Sequence, residues 1–243
     1  MKTAILTIDD RVWALPYWDK VVKNTAKHEL AGICLIKSKN KSNWAFKTFG
    51  LLDCARLYIH SLITLFRNRK LSWRSLSNNI LFSNTVNSHE VEKWLRKNKI
   101  DLAFIMVEEK IKLSILSKIR FGTINKHASL LPSNRGLYPY IWAKINKQGI
   151  GFTIHKVNSE IDDGKSLVQV VYNHNFSMLR FYIDVHNEAP YLYNRAVDNL
   201  IKKDFVLNNL EASYNSLPKK EDVVEFRKLG GSISKWRDLF YVP

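Results

Sequence analysis

Two polar residues, Asn125 and His127, lie at the end of a β-branched run that predicts a strand. Side chains alternate across a strand, so Asn125 and His127, two positions apart, project from the same face. The carboxylate of Asp162, 35 positions after the histidine (162 − 127), reaches that imidazole when the two strands lie side by side. An amide donor, an imidazole base and an orienting carboxylate suit attack on a carbonyl carbon. No hydroxyl or thiol nucleophile belongs to this set, so we expect the substrate to supply the nucleophile.

A histidine on a strand also has a purely structural interpretation, as a core or surface residue with satisfied hydrogen bonds. The surrounding motifs favour chemistry. They are N-x-H-x-S-L-L-P-x-x-R-G from residue 125, G-x-T-x-H from residue 151 and I-D-x-G from residue 161. In this order they resemble the folate-dependent formyltransferase family, which includes glycinamide ribonucleotide, methionyl-tRNA and nucleotide-sugar formyltransferases. The resemblance implies that Asn125, His127 and Asp162 are catalytic and that N10-formyltetrahydrofolate is the formyl donor.

The same resemblance points to residues that hold the folate. In the family, the loop that leaves the fourth strand supplies backbone groups to the pterin ring. The turn that carries the catalytic carboxylate lines the same pocket. The corresponding positions in this chain are Met106, Glu109, Lys110, Ile111, Glu160 and Ile161.

Four further residues are candidates for binding the acceptor substrate: Arg11, Trp13, Arg135 and Tyr214. Ligands of open α/β sheets lie at the carboxyl ends of the strands, so the loop after the first strand faces the crevice. There Arg11 would meet a phosphate and Trp13 a base or sugar; alternatively, they are a solvated charge and a core anchor. Arg135 would hold a phosphate or a turn carbonyl. Tyr214 would contact a nucleotide base or a subunit interface.

Apolar runs alternating with helical patterns predict an α/β fold. The resemblance implies a Rossmann-like mixed, mostly parallel sheet, as in the formyltransferase fold, with a short C-terminal extension. Strands are expected at 2–8, 30–37, 80–85, 102–107, 122–127, 151–157 and 166–172. No G-x-G-x-x-G follows the first strand, which argues against a dinucleotide cofactor. We divide the chain into a catalytic domain, 1–177, and a C-terminal helix and extension, 178–243. Its aromatics Trp236, Phe240 and Tyr241 suggest a homodimer contact.

The formal charge of +16 and the pI near 9.8 indicate a polyanionic partner. Nucleic acid, an anionic membrane and a phosphorylated small molecule all qualify. The lysine bias runs along the whole chain instead of forming one stripe, so we expect no nucleic-acid partner. A basic run at residues 67–74 would attract a diphosphate or stay solvated.

The cysteine count predicts a reducing compartment. Cys34 and Cys54 are too few for a disulfide framework, and nothing near them has zinc-ligand spacing. We therefore expect a cytoplasmic protein without a metal. The N-terminus turns acidic before an apolar run is long enough for a signal peptide. The longest apolar region, residues 51–66, contains three polar interruptions and predicts a buried or partner-facing helix instead of a membrane span.

Three acceptors compete within this chemistry. The 70 residues after the last strand (243 − 173) are short for the β-barrel domain with which methionyl-tRNA formyltransferase grips its tRNA. The glycinamide ribonucleotide branch has a Gly-rich phosphate loop where this chain has Ile8-Asp9-Asp10-Arg11. The S-Y-x-S-x-P tail from residue 213 resembles the nucleotide-sugar branch, which implies a dTDP-linked 4-amino-4,6-dideoxysugar for O-antigen and lipopolysaccharide synthesis. The alternative from another class is a non-enzymatic RNA- or partner-binding protein on the same scaffold.

Overall fold

A seven-stranded sheet forms the centre of the computed structural model, which describes residues 1–26, 28–38, 42–173 and 176–243. The strands, in chain order, are β1 (Lys2–Ile8), β2 (Glu29–Ile36), β3 (Ile80–Ser83), β4 (Leu102–Met106), β5 (Gly122–His127), β6 (Arg135–Gly136), β7 (Ile150–Lys156), β8 (Ser166–Tyr172) and β9 (Tyr214–Asn215). The large sheet has the order β3-β2-β1-β4-β5-β7-β8, and β6 pairs with β9 separately. Neighbours from β3 to β5 are parallel, whereas β7 is antiparallel to both β5 and β8. The predicted mixed, mostly parallel α/β sheet is confirmed.

Helices connect the strands and cover both faces of the sheet. They are α1 (Ala14–Asn24), α2 (Ser42–Phe49), α3 (Leu51–Arg67), α4 (Trp73–Leu76), α5 (His89–Lys97), α6 (Leu113–Leu116), α7 (Pro139–Ile145), α8 (Met178–Glu188), α9 (Tyr193–Lys202) and α10 (Lys220–Lys228). Short 3-10 segments follow α8 at Ala189–Leu192 and α10 at Trp236–Phe240. No helix among the described residues is long and apolar enough to cross a membrane.

The two faces of the sheet bury alternate residues of the same strands, as a doubly covered parallel sheet requires. Ile5 and Phe104 point to a core shared with Trp18 of α1. Leu6 and Ile105, their sequence neighbours, point to the opposite core under α5 and α6. Because both faces are buried, the strands appear in the sequence as unbroken apolar runs.

The sheet order creates a crevice at the carboxyl ends of β1 and β4. The chain moves from β1 to β2 and β3 on one side and then crosses to β4 on the other. Crossovers that leave in opposite directions open a ligand site between these strand ends. β5 lies next to β4, and the antiparallel strand β7 pairs Asn125 with His155 and His127 with Thr153. Polar residues of two strands therefore meet at this edge.

The C-terminal helices contribute to the same core as the sheet. α8 begins beside the predicted boundary at residue 177, where the Ser177 hydroxyl accepts a hydrogen bond from the N–H of Arg180. In α9, the Tyr193 ring is fully buried and packs edge-on against Trp18 and Phe104. Its hydroxyl lies 3.0 Å from that of Tyr17. The division at residue 177 stays a prediction.

Replacing Tyr193 by Ala should destabilise the whole molecule. Loss of a large buried aromatic costs about 3–5 kcal/mol, and the Tyr17 hydroxyl loses its partner. Urea unfolding followed by circular dichroism and by tryptophan fluorescence should give one coincident transition, shifted to lower urea. In the control Tyr191→Ala, which removes a ring that is 64% exposed, the change should stay within about 0.5 kcal/mol. Separate transitions for the two parts would contradict a shared core.

Candidate active site

Asp162 lies where three chain segments meet. It occupies the turn after β7 with φ +49°, a left-handed conformation that Asp adopts more readily than most residues. Its Oδ2 accepts a hydrogen bond from the backbone N–H of Gly136 at 3.1 Å and lies 3.3 Å from Nδ1 of His127. Its Oδ1 lies 3.5 Å from Nδ2 of Asn125, at the outer limit for a hydrogen bond. The amide, the imidazole and the carboxylate selected from the sequence therefore converge.

The His127 ring is held between two hydrogen-bond acceptors. Its Nε2 lies 2.9 Å from the carbonyl oxygen of Asn134, which only accepts, so Nε2 carries a hydrogen. Nδ1 is therefore the ring nitrogen that can take up a proton, and the Asp162 carboxylate faces it. A carboxylate in that position fixes the tautomer and stabilises the imidazolium.

A second histidine flanks the same carboxylate. His155 is buried, and its Nε2 lies 3.7 Å from Oδ1 of Asp162 without a hydrogen-bond partner among the described residues. Burial lowers the pKa of His155 to about 4, although Asp162 acts in the opposite direction. The ring is therefore neutral at pH 7. The G-x-T-x-H motif ends at this residue and is the signal in the sequence that could have placed it in the site.

The loop after β5 is fastened to the C-terminal extension. The backbone N–H of Arg135 donates to Ser213 at 2.9 Å, and the Ser133 hydroxyl donates to the Glu211 carbonyl at 2.7 Å. β6 and β9 pair in parallel, which places Tyr214 beside the loop. Gly136 has φ +98°, and a Cβ at this position would lie 2.2 Å from the carbonyl oxygen of Asn215. Only glycine allows so close an approach.

All six residues assigned to the folate line one cavity of about 330 Å³ at the carboxyl end of β4. They are Met106, Glu109, Lys110, Ile111, Glu160 and Ile161. Asn125, His127 and Asp162 line the same cavity, and so does Tyr214, which the sequence suggests as an acceptor-binding residue. The cavity is therefore bounded on one side by Asn125, His127 and Asp162, which we call the trio, and on another by the C-terminal extension.

Three of these six side chains, those of Glu109, Lys110 and Glu160, interact with other side chains or backbone groups of the protein. The Glu109 carboxylate accepts hydrogen bonds from the Thr85 hydroxyl and the Val86 N–H, both at 2.6 Å, and so anchors the loop after β4. Lys110 forms an exposed ion pair with Glu160, with Nζ 2.8 Å from the carboxylate. These contacts shape the wall of the cavity and leave backbone groups and apolar side chains such as Ile111 to meet a ligand.

A second cavity, of about 480 Å³, adjoins the first. Glu108, His127, Gly136 and Leu137 line both cavities, so the catalytic imidazole lies in the wall between them. The Trp13 ring projects into the second cavity and packs against two histidines that the sequence analysis did not select. Its ring centroid is 5.5 Å from that of His60 and 5.0 Å from that of His186.

Three basic side chains near the site, those of Arg11, Arg135 and Lys126, make different contacts. Arg11 is exposed and lines neither cavity; its Nη2 lies 3.4 Å from the carbonyl oxygen of Leu71 in the basic run 67–74. Arg135 pairs with Asp163 in the turn beside the trio. Lys126 is half-buried with Nζ 5.3 Å from the Tyr17 ring centroid, and burial lowers its pKa to about 7. Within the described residues, no group of three or more His, Cys, Asp or Glu is placed to hold a metal.

Part of the chain is similar in sequence to known formyltransferases. The family model for formyl transferases matches residues 60–177, a segment that contains Asn125, His127 and Asp162. A methionyl-tRNA formyltransferase from Bacteroides thetaiotaomicron is 40% identical over 77 residues, which cover 31% of this chain and 24% of that protein. The matched region thus spans about a quarter of that relative's length.

Solved structures extend the likeness to nearly the whole fold. A sugar N-formyltransferase from Shewanella superposes with a TM-score of 0.59 at 19% identity, covering 94% of this chain and 88% of the other. An N-formyltransferase from Helicobacter canadensis, solved with folinic acid and dTDP-3-aminofucose, gives 0.51 at 18% identity, covering 89% and 71%. Glycinamide ribonucleotide transformylases share the same architecture. The chain thus has the formyltransferase fold, and its residues 60–177 are similar to the formyl transferase family.

The low pKa of His155 predicts a pH-dependent contribution to stability. In the folded chain the pKa is about 4, below the ordinary 6.5, so protons bind the unfolded chain more tightly between these values. Wild type should lose this contribution progressively as the pH falls from 6.5 to 4, with no further loss below 4. The difference in unfolding free energy between pH 7 and pH 4.5, from urea titrations, should be smaller in His155→Gln. In the control His89→Gln, which replaces an exposed histidine, this difference should equal that of wild type. If His155→Gln also shows the wild-type difference, the low pKa is wrongly assigned to His155.

Proposed function

We propose that this protein is an enzyme that transfers the formyl group of N10-formyltetrahydrofolate to the primary amine of a nucleotide-linked 4-amino-4,6-dideoxysugar, with dTDP as the nucleotide. One observation carries the proposal: His127, with Asn125 and Asp162 beside it, lies in the wall shared by two adjoining cavities. A donor in one cavity and an acceptor in the other would then meet at the trio.

The 330 Å³ cavity suits the folate. Its volume is within the range of small-molecule sites, and its lining combines apolar side chains such as Met106, Ile111 and Ile161 with loop backbone. A flat pterin ring needs such a slot with backbone hydrogen-bond groups at its edge. The Helicobacter canadensis structure, which contains folinic acid, supports this donor. When bound, the folate supplies the formyl carbon as the electrophile.

The 480 Å³ cavity suits the aminosugar. Trp13 and Tyr138 offer ring faces for the apolar side of a sugar. The carboxyl groups of Asp10 and Glu108 also line this cavity; burial, with Asp9 and Glu108 adding to it, raises the pKa of Asp10. Carboxyl groups crowded in this way favour an amine as the ligand.

We assign binding of the nucleotide to cations that are adjacent in sequence to residues lining this cavity. We place a phosphate at Arg11, two positions before Trp13, and keep Arg135 as a second candidate despite its pairing with Asp163. Tyr214 borders the folate side, where it would contact the donor or the sugar.

The trio would act on the amine as it attacks the formyl carbon. Nδ1 of His127 takes the proton that the nitrogen loses as the new C–N bond forms, and Asp162 stabilises the imidazolium. The Asn125 amide donates to the formyl oxygen as negative charge develops on it, and the positive charge of the protonated His127 stabilises the same oxyanion. When the bond to N10 of the folate breaks, His127 returns the proton to that nitrogen. The formamido sugar and tetrahydrofolate then leave, and His127 is again neutral.

Two other acceptors and one other class compete with this assignment. Methionyl-tRNA is favoured by the 40% identity to a methionyl-tRNA formyltransferase over 77 residues and by the charge of +16. Glycinamide ribonucleotide enzymes share the fold. An RNA- or partner-binding protein on this scaffold would bind RNA with strong salt dependence but no folate. The tail at Tyr214, which resembles the nucleotide-sugar branch, favours the sugar, and we place its product in O-antigen and lipopolysaccharide synthesis in the cytoplasm.

Replacing Asn125 by Ala should lower turnover by about 100-fold or more, because one oxyanion donor is lost. Turnover is measured with saturating N10-formyltetrahydrofolate and aminosugar, following tetrahydrofolate release. Asn199→Ala is the matched control, since the Asn199 amide donates to the Leu167 carbonyl outside both cavities. The control should keep wild-type turnover. An Asn125→Ala enzyme within about threefold of wild type would exclude the oxyanion role.

A panel of acceptors should identify the substrate. Incubated with the folate donor and analysed by mass spectrometry, dTDP-4-amino-4,6-dideoxyglucose should gain one formyl unit. Glycinamide ribonucleotide and methionyl-tRNA should remain unmodified. Trp13→Ala should raise the KM for the sugar by roughly tenfold while the KM for the folate stays constant, because Trp13 lines only the acceptor cavity. Formylation of methionyl-tRNA alone would keep the chemistry and overturn the acceptor, and formylation of none would overturn both.

A further inference from the structure

Helix α3 buries most of its polar residues and exposes most of its apolar residues. His60 and Thr64 are fully buried, and the side chains of Asp53 and Arg56 are only 12% and 15% exposed. The outward face is apolar at every exposed position from Leu51 to Phe66, with helical spacing. These positions are Leu51, Leu52, Ala55, Tyr58, Ile59, Leu62, Leu65 and Phe66. We call this face the α3 stripe.

The C-terminal 3-10 segment extends the α3 stripe with aromatic residues. The His60 Nε2 donates to the Tyr241 carbonyl at 2.9 Å, and Arg67 donates to the Phe240 carbonyl at 3.2 Å, so the segment lies along the helix. Phe240 is 72% exposed and Trp236 57% exposed. Seventeen helical residues span roughly 25 Å, so the stripe and this segment form an extended apolar surface. Apolar patches of this extent mark interaction sites on soluble domains.

The exposed charges of the two chain stretches that form this surface are all positive. In the fully described stretches 43–75 and 229–243 the acidic residues are Asp53 and Asp238, neither of them exposed. The exposed charged residues of both stretches are basic: Lys47, Arg67, Arg69, Lys70, Arg74, Lys235 and Arg237. An apolar helix face with cations at its border and aromatic rings at its edge is the pattern of an interfacial helix.

From this pattern we infer that the α3 stripe, with Trp236 and Phe240, docks the protein on the surface of an anionic phospholipid membrane. The helix lies in the plane of the interface with its leucines among the upper acyl chains, while Arg67, Arg69 and Lys70 meet lipid phosphates. The contact is peripheral, since no described helix could span a bilayer. It is independent of the formyl transfer proposed above.

The charges make a second copy of the chain a poorer partner for this surface. Lys47 precedes one end of the stripe, and Arg67 and Arg69 follow the other. An antiparallel pair of α3 helices would therefore bring cations against cations at both ends, in a chain that already carries a charge of +16. The homodimer predicted from Trp236, Phe240 and Tyr241 uses the same surface and becomes an alternative outcome of the test.

Vesicle co-sedimentation of the full chain tests the proposal. The protein should bind vesicles of phosphatidylcholine containing roughly one third phosphatidylglycerol, and bind vesicles of phosphatidylcholine alone at least about tenfold more weakly. Binding should fall as salt rises from about 0.1 M to 0.5 M, because the lipid charges are screened. Brominated acyl chains should quench part of the tryptophan fluorescence, and Trp236→Phe should remove that part.

Matched substitutions locate the contact. Leu62→Glu should lower binding by about tenfold or more, because it places a carboxylate among the acyl chains. Leu207→Glu makes the same change at a leucine that is 93% exposed outside the stripe and should bind like wild type. Arg69→Gln should weaken binding and its salt dependence, whereas Arg195→Gln, exposed on α9, should not. Equal thermal unfolding midpoints across the variants show that each is folded.

Three results would overturn the inference. One is no binding to either vesicle, and another is binding that Leu62→Glu leaves unchanged. The third is a dimer in light scattering that Leu62→Glu dissociates while vesicles fail to bind, which would assign the α3 stripe to a second copy. None of these results depends on formyl transfer, which the turnover assay measures separately.

Discussion

The carboxylate of Asp162, whose side chain is only 12% exposed, is the group on which the arrangement of the site depends. A carboxylate removed from water must find donors, and this one draws them from β5 and from the loop at Gly136. The loop that carries Asp162 packs closely at Gly164, where a Cβ would lie 1.5 Å from the carbonyl oxygen of Lys156. The position of the imidazole therefore follows from a backbone constraint some distance along the chain, in addition to the strand on which His127 lies.

The C-terminal extension completes the site although the family match ends at residue 177. The segment 211–216 runs along the loop after β5 and hydrogen-bonds to Ser133 and Arg135. The Trp142 indole of α7 donates to the Ser216 carbonyl at 3.1 Å and so also holds this segment. Because Tyr214 then borders the folate-side cavity, a part of the chain outside the matched segment shapes a cavity built mainly by residues within it.

Much of the fold and the centre of the site follow from the sequence, for identifiable reasons. Central parallel strands are buried on both faces, so their apolar runs show where they begin and end, and Pro190 marks the break found between α8 and α9. Alternation along β5 predicts that Asn125 and His127 share a face. The pairing of His155 with Asn125 needs the strand order and an antiparallel register, which local pattern does not encode. Likewise, nothing local shows that Glu109 turns towards Thr85 and that Tyr214 reaches the folate side.

Helix α3 shows how one element can satisfy two different surroundings. Its inward residues Leu57, His60 and Ser61 line the larger cavity, which explains why polar groups lie on the face that a soluble helix normally makes apolar. His60 packs against Trp13 in that cavity and donates to Tyr241 beside the outer surface. The residues that build the cavity wall thus also position the C-terminal aromatics. One imidazole therefore contacts both the wall of the cavity and the segment that carries the outer aromatic residues.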